Sequence, residues 1–382
     1  IPTSLRSRRS ATGIELHLPR DLDYLVPAAP LAGYLGADVR VGADEPRLEH
    51  PGGERVLARL PGFQREASSL LRRAFLLDCL ARERVEGDGV AGVAAALDRL
   101  ALDADELDGM RLGERLDRYL DAEFDAVSAE LPEWHLSMYV EPTFERVRTL
   151  PHLVSDLAFV FLPESEPLGG HERLARSLDD FYRGARNPAE VDAVKPVLGP
   201  GHIHGWLAEG VPIDVFKSVS EAYEHRDRPE RRRADRRPIS VVAVLNETEM
   251  VEEYADLRAA YGRTVGEHGV DVEVRKRLSR DELAGVFEAE HDLVHYIGHC
   301  EDAGLRCTDG HLAVDDVRVS NAETFLLNAC GSYYEGVDLV RKGSVAGAVT
   351  FNKVLDRHAA RVGTTFVRLL VNGFSIERAL GL

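Results

Sequence analysis

Short apolar and β-branched runs in the first half of the chain are separated by longer segments whose apolar residues have helical spacing. Helical spacing extends over residues 63–83 and, in a similar way, over residues 113–130. Strand-like runs occupy residues 14–19, 39–41, 134–140 and 158–163. The mixture predicts an N-terminal α+β domain at residues 1–223, in which no motif indicates a role.

From Ile239 onward the pattern becomes a regular alternation of strands and helices. Strands are predicted at residues 239–247, 270–276, 292–299, 324–330 and 343–352, with a hairpin at residues 304–314. Helices are predicted at residues 249–268, from Ser279 with the acidic residue of a capping box, from about Glu335 and from about Arg357. Strands that alternate with helices form parallel sheets, whose functional sites lie at the carboxyl ends of the strands. Residues 239–382 are therefore predicted to form an α/β domain with a mainly parallel sheet.

A densely charged segment, residues 224–238, separates the two halves. Its sequence, EHRDRPERRRADRRP, has two prolines and no apolar residue beyond one alanine. Such a segment cannot bury apolar surface, so it is predicted to be an exposed, extended linker. Two roles stay open for it: a plain solvated connector, or a processing or hinge segment through which the N-terminal domain controls the C-terminal one.

The chain is acidic, with 65 Asp and Glu residues against 47 Lys and Arg residues and a formal net charge of −18. Phosphate binding needs a basic surface, so nucleic acid is not predicted as a main partner. Only five of the basic residues are lysines, a composition that fits a salt-loving source and a GC-rich genome equally. No apolar run approaches the ~20 residues of a membrane-spanning helix, so no membrane association is predicted.

The cysteine content points to a reducing compartment. Four cysteines in 382 residues cannot form a disulfide framework of the small secreted kind. The first residues, IPTSLRSRRS, lead into TGIELHLP and not into an apolar core, so no signal peptide is predicted. A cytoplasmic location is the expectation. Three of the cysteines, Cys300, Cys307 and Cys330, fall in one stretch that also contains several histidines.

His299 and Cys330 each end an apolar predicted strand, so both are expected at the carboxyl edge of the sheet. A cysteine nucleophile needs a base that makes or stabilises its thiolate, and backbone donors for the oxyanion. Gly298 and Gly331, next to these two residues, permit sharp turns. The backbone N–H groups of Cys300 and Cys330 are available as oxyanion donors. We therefore predict a Cys–His catalytic dyad.

Four strings in the second half resemble the CHAT branch of the caspase-like superfamily, which is related to separase and caspases. HYIGHC at residues 295–300 and LLNACGS at residues 326–332 are similar to that branch's H-x-x-G-H-G and L-x-A-C-x-S motifs. GSVAGAVTFNKVLD at residues 343–356 resembles its next strand, turn and aspartate, and NGFSIERAL at residues 372–380 resembles its closing helix. The resemblance covers residues 239–382.

The resemblance implies a three-layer caspase-like domain and a cysteine endopeptidase that uses His299 and Cys330 without a cofactor or a metal. It implies a substrate pocket at Asn328, Asn352 and Asp356. A protein or peptide is the expected substrate, and a regulatory partner is expected to act on the N-terminal domain.

Two residues depart from the pattern of the relatives. Cys300 stands where the branch has a glycine, so a side chain occupies the rim of the site. Asn328 stands where metacaspase-like relatives have an aspartate that binds a basic side chain. Cleavage after Arg or Lys is therefore not predicted.

Three other interpretations stay open. Cys330 is a buried core cysteine in one, and in another the domain is an inactive relative that serves as a signalling or scaffold module. The third is a zinc site, since six residues are zinc ligands by type: His295, His299, Cys300, Cys307, His311 and Cys330. On a strand, His295 and His299 would stand about 13 Å apart, too far to share one ion. His295 is therefore predicted to belong to the core.

Overall fold

The computed structural model describes most of the chain as two compact units. The described residues are 12–86, 91–166, 193–226, 238–246, 270–329 and 331–349, with positions 365, 366, 369, 376 and 379. The first unit consists of the described residues up to 166 and of residues 193–218, and the second begins at Val219. The predicted helix at residues 249–268, most of the predicted linker and most of the final predicted helix lie outside the described residues.

The described residues of the first unit form helices and three sheets. Its described helices are α1 (Leu22–Leu35), α2 (Gly62–Glu86), α3 (Ala91–Arg99), α4 (Ala104–Asp108), α5 (Leu112–Asp121), α6 (Asp125–Ser128), α7 (Phe144–Val147) and α8 (Leu150–Ser155). Its described strands are β1 (Glu15–Leu18), β2 (Asp38–Val41), β3 (Arg47–His50), β4 (Gly53–Val56), β5 (Leu136–Val140), β6 (Phe159–Phe161), β7 (Ser165–Glu166), β8 (Ala193–Pro196), β9 (Ile203–Leu207), β10 (Val211–Pro212) and β11 (Phe216–Lys217).

Both larger sheets of this unit contain parallel pairs. The order of the first is β2, β1, β3, β4, with β2 parallel and β3 antiparallel to β1. The second, in the order β11, β9, β5, β6, is parallel throughout. Leu16 and Leu18 are fully buried, whereas Glu15 and His17 point to the other face, as expected for a half-buried strand.

One predicted helix of this unit is divided in two. The periodicity predicts a single helix over residues 113–130, but α5 ends at Asp121 and α6 begins at Asp125. Ala122 has extended backbone with ψ 143°, and its carbonyl accepts a hydrogen bond from the Arg73 guanidinium of α2. Phe124 is buried in the break and lies under the guanidiniums of Arg72 and Arg73. Packing on α2 therefore overrides local helical spacing here.

The second unit is an α/β structure around a parallel sheet. Its described helices are α9 (Ser220–His225), α10 (Arg280–Glu288) and α11 (Tyr333–Arg341), with a 3-10 turn at Val314–Asp316. Its strands are β12 (Ile239–Leu245), β13 (Val270–Lys276), β14 (His291–Ile297), β15 (Cys300–Glu301), β16 (Gly304–Cys307), β17 (Gly310–Leu312), β18 (Ala322–Asn328) and β19 (Ala346–Val349). The predicted strands and the predicted hairpin are confirmed, with ends that differ by a few residues.

Five strands form one sheet in the order β13, β12, β14, β18, β19, and all neighbouring pairs are parallel. The predicted α/β class with a mainly parallel sheet is confirmed. Strands β15, β16 and β17 form a separate antiparallel sheet directly after β14. The parallel order brings the carboxyl ends of β12, β14 and β18 to one edge, where β14 is central.

Apolar residues cover both faces of the parallel sheet, which explains why its strands read as nearly continuous apolar runs. One core contains Val294, Tyr296 and Phe325 with Phe287 of α10 and Leu339 of α11. The other core is on the opposite face and contains the following residues: Val241, Ala243, Leu245, Leu293, Ile297, Leu326, Ala348, Phe366 and Ala379. The sheet is therefore fixed in register from both sides.

The beginning of the charged segment differs from its prediction as an extended linker. Glu224 and His225 belong to helix α9, which begins at Ser220 and contacts α11 within the second unit. The polar and aromatic sequence SEAYEH supports one helical turn that packs through Ser220, which is buried. Residues 227–237, which carry most of the arginines, lie outside the described residues.

Replacing the capping serine of α10 tests how much local sequence contributes to this unit. The Ser279 hydroxyl accepts from the Glu282 N–H at 3.4 Å, and the Glu282 carboxylate accepts from the Ser279 N–H at 2.8 Å. Ser279→Ala should lower the free energy of unfolding by about 1 kcal/mol, measured by urea denaturation. Ser155→Ala, at an exposed helical serine that caps nothing, is the control and should change stability by less. Equal losses would contradict the assigned cap.

Candidate active site

The candidate site lies where β14 and β18 end side by side. Ile297 of β14 is paired with Asn328 of β18, and the Gly298 N–H donates to the Asn328 carbonyl at 3.3 Å. His299 follows and is exposed. Asn328, predicted to line a substrate pocket, is 9% exposed at the end of its strand. The structure thus brings His299 to the predicted edge of the sheet, next to the end of β18.

Cys330, Asn352 and Asp356 lie outside the described residues. The residues on either side of Cys330 are described. Ala329 is buried, and Gly331 has φ +79°, in the left-handed region that favours glycine. Ser332 is buried and directly precedes α11, and its N–H donates to the Ala329 carbonyl at 3.4 Å. Gly331 therefore permits the tight passage from β18 into α11 that was expected at this position.

The turn that carries His299 is packed around Tyr296, which is fully buried. The Tyr296 hydroxyl lies 3.1 Å from the His299 carbonyl and 2.8 Å from the Arg306 carbonyl. A Cβ at Gly298 would lie 2.7 Å from the Tyr296 hydroxyl oxygen, so only glycine fits there. The strand predicted to reach His299 therefore ends at Ile297, because the chain must bend over the phenol. The sequence analysis missed Tyr296, although a buried tyrosine hydroxyl ordinarily has a hydrogen-bond partner.

Asn246, directly after β12, ties the neighbouring segments to this turn. Its N–H donates to the Ile297 carbonyl at 3.0 Å, and its side-chain amide donates to the Arg306 carbonyl at 3.0 Å. Its side-chain oxygen accepts from the Leu278 N–H at 2.7 Å. These bonds join β12, β14, β16 and the segment before α10. The sequence analysis missed this residue too, because nothing in the local pattern around Asn246 indicates partners so distant along the chain.

Cys300 occupies the rim directly after His299. Its thiol lies 3.8 Å from the Glu301 carbonyl and interacts electrostatically with the Glu335 carboxyl group of α11. Burial, together with the negative charge of Glu335, raises the pKa of the Cys300 thiol. Burial also raises the pKa of Glu335. The side chain at this position thus favours the neutral thiol, and its interaction with Glu335 was not predicted from the sequence.

The other candidate zinc ligands have separate surroundings. His295 is fully buried in the sheet, and burial lowers its pKa to about 3. Cys307 is buried, and burial raises its pKa to about 11. The ring of His311 pairs with Glu301 at 3.3 Å. Among the described residues, no three of the predicted ligands lie within reach of one ion.

Among the described residues, three side chains of metal-binding type lie close together in the first unit: Glu15, His17 and Glu49. His17 Nε2 lies 3.3 Å from Glu15 and 3.2 Å from Glu49. Both carboxylates also pair with arginines, Glu15 with Arg40 at 3.0 Å and Glu49 with Arg47 at 3.1 Å. Arg47 also donates to His17 Nδ1 at 3.3 Å, which leaves the proton of a neutral ring on Nε2. The group is therefore a balanced charge network on the surface of a sheet.

Neither the comparison with models of protein families nor that with curated proteins finds a match for this chain. No helix in the described part of the chain has both the length and the apolar character needed to cross a membrane. Inferences about function therefore rest on the residues of the site and on their geometry.

The buried neutral state of His295 predicts an acid-dependent loss of stability. The unfolded chain protonates this histidine near its ordinary pKa of 6.5, whereas the folded protein keeps it neutral down to about pH 3. Unfolding therefore takes up a proton between these values, and stability falls as the pH decreases, by up to about 1.4 kcal/mol per pH unit. His295→Leu should reduce this slope in urea denaturation between pH 6.5 and 4. Identical slopes in the two proteins would contradict the assignment.

Proposed function

We propose that the second unit is a cysteine endopeptidase of the caspase-like type, with His299 and Cys330 as its catalytic dyad. The parallel pairing of β14 with β18 carries the proposal. Ile297 faces Asn328 in register, and His299 and Cys330 each stand two positions further along the chain. Neighbouring strands lie about 4.8 Å apart, so side chains that leave two paired strand ends are close enough for proton transfer, directly or through one water.

The arrangement of the cores supports a three-layer caspase-like fold for this unit. Helices α10 and α11 pack on one face of the parallel sheet. Phe366 and Ala379, which have helical backbone, pack on the other face. A parallel sheet with helical residues on both faces is the layer order that the sequence motifs imply.

The start of α11 supports an activated thiol at position 330. The helix begins at Tyr333, three residues after Cys330. The positive end of a helix dipole stabilises a thiolate and lowers the pKa of a nearby cysteine. Burial raises the pKa of Glu335 in the first turn, which disfavours the negative charge that would oppose this effect. These features favour a reactive cysteine over the buried core cysteine considered from the sequence.

The reaction follows from these roles. His299 takes the proton of Cys330, and the sulfur bonds to the scissile carbonyl carbon, whose oxygen becomes an oxyanion held by the N–H groups of Cys300 and Cys330. The C–N bond then breaks, His299 gives its proton to the leaving amine, and a thioester stays on the sulfur. Water adds to the thioester, releases the carboxylic acid and restores the thiol. The chain's own residues supply every proton transfer, so the proposal requires no cofactor and no metal.

The proposed substrate is a protein or peptide that lies across the edge formed by β14 and β18. Asn328 at that edge, with Asn352 and Asp356, belongs to the proposed substrate pocket. In this proposal a regulatory partner acts on the first unit. The proposed location of the protein is the cytoplasm.

Acylation of Cys330 by p-nitrophenyl acetate tests the nucleophile, in a Cys79→Ala background that removes an exposed thiol. We expect stoichiometric release of nitrophenolate at pH 7 and an acetyl group mapped to Cys330 by mass spectrometry. Cys330→Ala should abolish this burst. Cys300→Ala and Cys307→Ala are the matched controls and should retain it, because the raised pKa values of these thiols keep them protonated. Absence of a burst in the parent protein would favour an inactive signalling or scaffold module.

Alkylation of Cys330 by iodoacetamide tests the role of His299. An imidazole that stabilises the thiolate lets Cys330 react well below pH 8.5, the ordinary pKa of a cysteine. His299→Ala should therefore slow alkylation at pH 6.5 by about 10- to 100-fold and bring the midpoint of the pH–rate curve toward the ordinary value. The matched control is His311→Ala in β17, which should leave the curve unchanged. A curve that does not move in His299→Ala would remove His299 from the dyad.

A further inference from the structure

The peptide group between His299 and Cys300 is held by two donors at its carbonyl end. The Arg306 N–H donates to the His299 carbonyl at 2.9 Å, and the Tyr296 hydroxyl lies 3.1 Å from the same oxygen. The hydroxyl shares its single proton between this carbonyl and that of Arg306, at 2.8 Å. The Arg306 carbonyl also accepts from the Asn246 side chain at 3.0 Å, so it does not depend on the phenol alone.

The other end of this peptide group is the Cys300 N–H, which points in the opposite direction because the peptide bond is planar and trans. Hydrogen-bonded and non-hydrogen-bonded pairs alternate along an antiparallel ladder. Because Arg306 bonds to His299, the next pair, Cys300 with Leu305, is a non-hydrogen-bonded one. The Cys300 N–H therefore points away from β16, and the ladder leaves it available to another acceptor.

We propose that Tyr296 is a positioning residue, whose buried hydroxyl orients and polarises the His299–Cys300 peptide so that the Cys300 N–H is aimed at the oxyanion. This inference rests on the proposed function and adds a group that does not touch the substrate. A donor at the carbonyl end of a peptide strengthens the N–H at its other end as a donor, through cooperative polarisation. A fixed donor stabilises the transition state because it needs no reorganisation during the reaction.

The packing around Tyr296 makes this orientation rigid. The ring is 0% exposed, so the hydroxyl cannot exchange its partners for bulk water. Gly298 closes over the phenol oxygen, with 2.7 Å from that oxygen to where a Cβ would stand. The ring therefore packs against the turn, and the hydroxyl hydrogen-bonds to the peptide group that follows it. Removal of the hydroxyl alone tests the hydrogen bond, because the packing of the ring is kept.

Tyr296→Phe, in the Cys79→Ala background, is the test, with two reagents that react at the same sulfur. Acylation by p-nitrophenyl acetate passes through an oxyanion, whereas alkylation by iodoacetamide does not. We expect the acylation rate at saturating ester to fall by about 10-fold, less than the 10²–10³ that follows loss of a whole oxyanion donor, with KM and the alkylation rate unchanged. Tyr139→Phe is the matched control, since it removes a buried hydroxyl that accepts from the Gly199 N–H in the first unit, and it should change neither rate.

Each outcome decides the inference. Unchanged acylation in Tyr296→Phe would overturn it, and so would an equal loss in both reactions, which would show general damage to the site. If the parent protein alkylates at Cys330 but is not acylated, the proposed function itself fails and the inference with it. If Tyr296→Phe does not fold, 4-fluorophenylalanine at position 296 takes its place, because its fluorine fills the space of the hydroxyl but cannot donate a hydrogen bond. The same selective loss of acylation is expected there, and equal rates in both reactions would again overturn the inference.

Discussion

The parallel pairing of β14 with β18 is the constraint on which the rest of the candidate site depends. Its backbone bonds fix Ile297 opposite Asn328, and the cores on both faces of the sheet hold this register. A slip of the strand by one residue would turn each of its side chains to the opposite face of the sheet, so Tyr296 would leave the core in which it is buried. The position of His299 relative to the end of β18 is therefore set by the whole sheet and not by the turn alone.

The rim of the site is exposed at His299, whereas the backbone around this residue is held in place by buried groups. His299, the histidine of the proposed dyad, is exposed. The backbone on both sides of it is nevertheless held by buried groups, with Tyr296 below and Cys300 beside it. Burial raises the pKa values of the Cys300 thiol and of the Glu335 carboxyl, which interact electrostatically. Both shifts have the same cause, because a charge is costly to bury.

Parts of the fold followed from the sequence because local pattern and tertiary environment agree there. The strands of the parallel sheet are continuous apolar runs, since both of their faces are buried. The capping box at Ser279 is a local motif and was predicted directly. The division of residues 113–130 into two helices was not predicted, because the break depends on Arg72 and Arg73 of another helix. The same holds for the start of the charged segment, which is helical where its composition predicted an extended chain.

The sequence by itself determined the alternation of strands and helices in the second unit, and it placed His299 at a strand end beside another apolar strand. Those features depend on residue types within a few positions of each other, which a single sequence displays. Only the tertiary structure decided that the Tyr296 hydroxyl meets the His299 and Arg306 carbonyls, that Asn246 links four segments and that Cys300 meets Glu335. Most of these contacts join residues far apart in the chain, and the Tyr296 contact depends on how the backbone bends after β14. They exist because a buried polar group must find a hydrogen-bond partner, and the packing of the sheet determines which partner is within reach.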